Sequence, residues 1–237
     1  MRNILTIAGR EIRSYFVSPL AYVVIFFFVF IIGFIFTLGM LSPQTEATMQ
    51  PLFHSMIFVS LMLAPVLTMG LLAQETSTGS IEMLMTKPVR DAEVAVGKFL
   101  GAVALYVMIL VVTLEFPIMY EIWGNPDWGL ILSGYIGLLA CGIAFMAVGT
   151  FASSVTDNQI AAWLIGTALL LFFWLVGWLG YSSTTWVTDV AKRISIYENF
   201  GDFTRGIVDG KNLLFFLSIA VIFLFMAVRA IENRRTV

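Results

Sequence analysis

Long apolar runs separated by short polar connections dominate the chain. Six of them approach or exceed the roughly 20 residues an α-helix needs to cross the hydrocarbon core of a bilayer. They cover about 20–41, 52–73, 97–120, 130–152, 160–181 and 211–230. The runs are continuous, without the alternation of a membrane barrel strand. Lipid then leaves the α-helix as the spanning structure, because every backbone polar group must be paired within the segment. Pro65 predicts a kink in the second run, and Pro117 falls near the end of the third. The fifth carries Trp163, Trp174 and Trp178. The fold class predicted is all-α and integral to the membrane, one transmembrane domain over residues 1–237. No inserted soluble domain, internal repeat or low-complexity linker interrupts it.

Two polar segments have patterns of their own. Residues 3–16 read as an amphipathic helix. At about 100° per residue, Ile4, Leu5, Ala8, Ile12, Tyr15 and Phe16 share one side, while Asn3, Thr6, Arg10 and Arg13 share the other. Pro19 ends this helix before the first span. A basic amphipathic helix beside a span is expected in the membrane interface, as an anchor or as a seat for a cytoplasmic partner. The stretch 74–96, QETSTGSIEMLMTKPVRDAEVAV, is too polar for lipid, yet Ile81, Met83, Leu84 and Met85 interrupt it. Gly79 and Pro88 bracket a short helix, and Asp91 is placed to cap the next one. Apolar residues on a small exposed helix call for a partner surface.

Composition agrees with this picture. Hydrophobic residues make up 59% of the chain and charged residues 12%, against about 45–50% and 25% in soluble domains. A net charge of −2 with no basic tail gives nucleic acid nothing to bind. The first apolar run, from about Leu20 to Met40, is too long for the core of a cleavable signal. Lys and Arg set the orientation. Nine lie in the first 19 residues, in 74–98 and at the C-terminal end, and four lie in 182–211. Both termini are therefore expected in the cytoplasm of a bacterial inner membrane, with 182–210 outside. Two features run against the rule. The inner loop 153–159 has no basic residue, and the outer 182–210 connection holds Lys192, Arg193 and Arg205.

The candidate chemistry is sparse. One histidine, His54, and one cysteine, Cys141, leave no His/Cys metal cluster and no intrachain disulfide. An intramembrane enzyme would need a nucleophile–base pair, paired Asp or a metal set, and the spans supply none. Ionisable groups inside spans are functional candidates. Glu115 is the one that stands out, either snorkelling to the outer interface or forming a polar point on a translocation path. Ser133, Gly137 and Cys141 form a small-residue stripe suited to close helix approach. The phosphate cradle G-x-x-x-x-G-K-[ST] is absent: Gly97-Lys98 is followed by Phe99. The chain is not expected to hydrolyse ATP.

The run LLAQETSTGSIEMLMTKPVRDAEVAVGKFLGA resembles the signature loop of type-2 ABC exporter permeases, the ABC-2 family. The matching positions are Glu75, Gly79, Ser80, Ile81, Glu82, Leu84, Pro88, Gly97 and Lys98. The entrance GREIRSYFVSPLAYVV is similar to the family's N-terminus through Arg10, Glu11, Ser14, Tyr15, Ser18 and Pro19, and Arg10, Glu11, Arg13 and Tyr15 are its candidate interface-helix residues. The tail from Glu198 to Arg235 resembles the subgroup of the gliding-motility permease GldF. Ser80 stands where Thr is commoner. The resemblance implies six spans, a second permease subunit, identical or different, and two ABC ATPase subunits that bind ATP and Mg. It implies that the N-terminal helix and a coupling helix around Glu75, Gly79, Ser80, Ile81, Glu82 and Leu84 contact the ATPase. The segment before the last span would re-enter the membrane from outside, and a GldG-like accessory membrane protein could join. The alternative is a membrane scaffold in a motility or envelope assembly that transports nothing.

Overall fold

The computed structural model describes residues 2–41, 49–77, 90–123, 126–179 and 186–235. Among these the chain forms eleven helices. They are α1 (Arg2–Val17), α2 (Pro19–Leu41), α3 (Gln50–Thr68), α4 (Ala73–Ser77), α5 (Asp91–Val112), α6 (Glu115–Trp123), α7 (Trp128–Val155), α8 (Gln159–Leu179), α9 (Trp186–Ile194), α10 (Ile196–Thr204) and α11 (Gly210–Arg235). Six stretches are long and apolar enough to cross a membrane: Pro19–Gly39, Gln50–Ser77, Asp91–Ile122, Trp128–Val155, Gln159–Gly177 and Gly210–Arg234. The fold is an all-α membrane bundle.

Local chemistry sets the helix ends. Ser18 separates α1 from α2, its hydroxyl accepting from Leu20 N, and Pro19 opens α2 where no backbone donor is needed. The Asp127 carboxylate accepts from Gly129 N and Leu130 N to cap α7. At the start of α5 the outcome differs from the sequence expectation. Arg90 holds the cap position and Asp91 is the first helical residue. The Glu93 carboxylate turns back to accept from Arg90 N at 3.2 Å and from the Asn3 amide at 3.1 Å.

Helix α7 is the axis of the bundle and packs against α3, α5, α8, α10 and α11. Two-thirds of its most apolar window is buried (67%), against 22% for α2 at the periphery. Helices in lipid gain little by hiding apolar surface from one another, so close packing must hold them together. The glycines of α7 permit it on several faces. A Cβ at Gly134 would lie 2.4 Å from the Phe53 ring, at Gly137 2.6 Å from Phe203, at Gly142 1.8 Å from Tyr106, and at Gly149 2.0 Å from the Thr68 hydroxyl.

Two spans are interrupted where continuous helices were expected. The second passes through Pro65, ends at Thr68 and resumes as α4. The third ends at Val112 and resumes at Glu115. Pro117 explains the latter: without an N–H it cannot bond the carbonyl four residues back, that of Thr113. That carbonyl accepts from Phe116 N at 3.1 Å and from the Tyr135 hydroxyl of α7 at 2.8 Å.

The segment before the last span forms α9 and α10. Helix α10 is driven into the bundle, with Ile196, Phe200 and Phe203 fully buried. Phe203 sits against Gly137, nine residues or about 13 Å inside the start of α7. Ser195 rests on Gly177 of α8, and Tyr197 packs on His54 and Trp174.

Candidate functional site

The opposite end of the bundle gathers most of the buried charge. Helix α1 lies across the start of α5, in a groove left by Gly97 and Gly101. A Cβ there would stand 2.8 Å from Ile7 and 2.6 Å from Glu11. Ile7 is buried in a small cluster with Leu72, Val94, Ala95 and Ile231, and Ala8 is buried too, while Leu5 and Phe16 stay exposed. The buried stripe thus carries Glu11 into the protein.

Glu11 meets Lys98 there. Lys98 Nζ is 2.9 Å from Glu11 Oε1 and 2.8 Å from Glu75 Oε1, and its side chain is only 2% exposed. Arg10 approaches both carboxylates at 3.7 Å and is half exposed. Two cations balance two carboxylates. Burying an ammonium costs several kcal/mol, which close carboxylates offset only in good geometry. The partners come from α1, α4 and α5, so displacing any one helix leaves charge unpaired. Arg10 contributes little, because exposed ion pairs are worth about 0–1 kcal/mol.

The interrupted backbone of the second span is pinned beside this network. The Tyr15 hydroxyl donates to Leu67 O at 3.0 Å, taking up one of the carbonyls that the end of α3 leaves open. Burial, reinforced by the Glu11 carboxylate, pushes the Tyr15 phenol well above its ordinary pKa, so it stays a neutral donor. The Ser153 hydroxyl from α7 accepts from Leu72 N and Ala73 N, each at 3.0 Å, and donates to Met69 O at 2.9 Å. A cavity of about 530 Å³ opens beside these groups, lined by Arg10, Glu11, Tyr15, Glu75, Lys98 and Gln159 among others.

A family model described as ABC-2 family transporter protein matches residues 5–233, nearly the whole chain. The chain belongs to this family. Membership makes it a permease subunit of an ABC transporter. Comparison with curated proteins gives no match.

Of the permease residues singled out in the sequence, the structure brings Arg10, Glu11, Tyr15 and Glu75 together around Lys98. Arg13 is exposed on α1. Gly79, Ser80, Ile81, Glu82 and Leu84 lie outside the described residues, as do Met83, Met85 and Pro88. Glu115 is exposed at the start of α6. The buried ionisable group of the third span is Lys98, not Glu115. Its signal was legible as a lysine opening an apolar run. Glu11 also had a signal, since it falls on the helical stripe of Ile4, Ile7, Ala8 and Tyr15. Ser153 had none beyond a polar pair closing the fourth span. In the basic-poor 153–159 loop, Asp157 pairs with Arg234 from the end of α11. Among the described residues no three His, Cys, Asp or Glu stand together as a metal site.

Proposed function

We propose that this permease is driven by a separate ABC ATPase that docks on α1, α4 and the loop leading to α5, and that it exports its substrate. The observation that carries this reading is the Lys98 network. It ties the two elements nearest the proposed docking face to the start of a span, so a push on the face moves α5 as well. Rigid-body rearrangement of spans is the established way such input becomes an inward-to-outward switch. ATP and Mg belong to the partner, present in two copies beside two permease subunits. The network end, with Arg234 and Asp157, faces the cytoplasm, as the excess of Lys and Arg at the ends of α1, α5 and α11 supports. Helix α10 is the re-entrant element of the outer leaflet, a reading its fully buried Phe200 and Phe203 support. Glu115 lies on the outer side of the path.

The test uses the permease in lipid nanodiscs with the ATPase encoded beside it. Glu82→Lys with Leu84→Ser is expected to leave the permease folded and monodisperse but to abolish ATPase association. Full association and unchanged ATP hydrolysis by the variant complex would defeat the docking assignment. ATP turnover without movement of any solute in vesicles would favour the scaffold role, and with it a GldF-like place beside a GldG-like accessory protein.

A further inference from the structure

We infer that Ser153 is the positioning residue through which motion of α4 reaches the centre of the bundle, and that the path runs through α7 rather than along the second span. The inference rests on the coupling reading above and adds the route.

Helix α3 stops at Thr68 and α4 starts at Ala73. A five-residue helix has too few internal hydrogen bonds to hold itself or to act as a stiff lever. With the helix interrupted at 69–72, thrust on α4 cannot travel up the second span as it would in an unbroken rod. Besides the Glu75–Lys98 pair, which ties α4 to α5, what holds α4 beside the break is α7. One hydroxyl binds both sides of the break: Ser153 holds Leu72 N and Ala73 N on the α4 side and Met69 O on the α3 side. One turn earlier, Gly149 leaves the space that Thr68 fills, so a Cβ there would collide with the Thr68 hydroxyl at 2.0 Å. Gly149 and Ser153, four residues apart on one face of α7, thus form a cradle for residues 68–73. Ser153 is 1% exposed, so water cannot replace these bonds. Helix α7 in turn touches α10 through Gly137 and Phe203 at the other end. A displacement of α4 is therefore delivered to the most buried helix and, along it, to the outer segment.

The experiment places spin labels at Ile122 and Ile207, both exposed at the outer end, in a Cys141→Ala background. Their separation is measured in the complex with the ATPase, with and without a non-hydrolysable ATP analogue. The unaltered chain is expected to show a nucleotide-dependent shift. Ser153→Ala should keep ATPase association and ATP hydrolysis but lose the shift, and Ser153→Thr, which retains the hydroxyl, should restore it. Ser153→Gly, which also removes the hydroxyl and adds no thiol, gives the same loss should the alanine variant fail to fold. A full shift in the folded Ala or Gly variant would overturn the route through Ser153 while leaving the coupling reading intact. No ATPase association, or no shift in the unaltered complex, would defeat the coupling reading and this inference with it.

Discussion

The two ends of the permease solve one problem with different chemistry. With the orientation proposed above, one end is outer and the other inner, and at each a span breaks and a hydroxyl from another helix reaches a backbone carbonyl at the break. At the outer end, one phenol, Tyr135, covers the Thr113 carbonyl, and rings do the rest: Phe36 packs on Phe116 and Tyr120 at centroid distances of 5.3 and 5.0 Å. At the inner end the break is held by Tyr15 and Ser153 and flanked by the Lys98 network. Aromatic packing is forgiving, because rings slide and repack. A buried ion network tolerates little, because moving one partner leaves a charge unpaired. The end built from charges therefore moves as a unit, and the end built from rings can adjust to what it receives.

Breaking the inner end should cost most. Lys98→Met leaves Glu11 and Glu75 with only the half-exposed Arg10 at 3.7 Å as a cation and is expected to destabilise the permease by about 3–5 kcal/mol, read from unfolding in detergent. Adding Glu11→Gln and Glu75→Gln to the same chain should recover most of that loss, since a neutral site no longer requires the cation. A triple variant as unstable as the single one would show that packing, not charge, holds this end.

Overpacking the outer end should cost less. Gly137→Ala forces Phe203 aside and is expected to lose about 1–3 kcal/mol, with α10 becoming more accessible to hydrogen exchange. The sharpest comparison pairs two smaller changes. Tyr15→Phe and Tyr135→Phe each delete one phenol-to-carbonyl bond, and each should cost about 0.5–1.5 kcal/mol. Their stability losses should match, but only Tyr15→Phe is expected to lower ATP-driven activity in the complex. Equal functional losses would erase the distinction between the ends. Smallest of all, Arg10→Ala should change stability by less than about 1 kcal/mol, because its guanidinium is half exposed and stands 3.7 Å from either carboxylate. Its effect, if the docking face is as proposed, lies in ATPase affinity.

Much of the architecture was legible in the chain because lipid imposes a simple rule. A backbone that cannot bond to water must be helical, so apolar run length translates into spans. Proline was harder to read. Pro65 and Pro117 both announced irregularity, yet α3 continues past Pro65 while α5 stops five residues before Pro117. The Thr113 carbonyl that Pro117 cannot bond is held by Phe116 N and by the Tyr135 hydroxyl, partners that no linear pattern announces. In the candidate site, Arg10 and Tyr15 could be singled out by position on an amphipathic helix, and Glu11 and Glu75 by the resemblance to the ABC-2 family. That Lys98 would be their common partner depended on α1 settling into the Gly97–Gly101 groove of α5.

Sequence alone determined the number of spans, the helical class, the polar handles beside them and the absence of a nucleotide cradle, since each follows from local composition and spacing. Tertiary structure decided which helix became the axis, where the second and third spans break, and which hydroxyls and charges close the gaps. Those outcomes rest on contacts between residues as far apart as Leu72 and Ser153 or Glu11 and Lys98. A linear pattern can show that such groups need partners, but only packing in three dimensions selects the partner within hydrogen-bond reach.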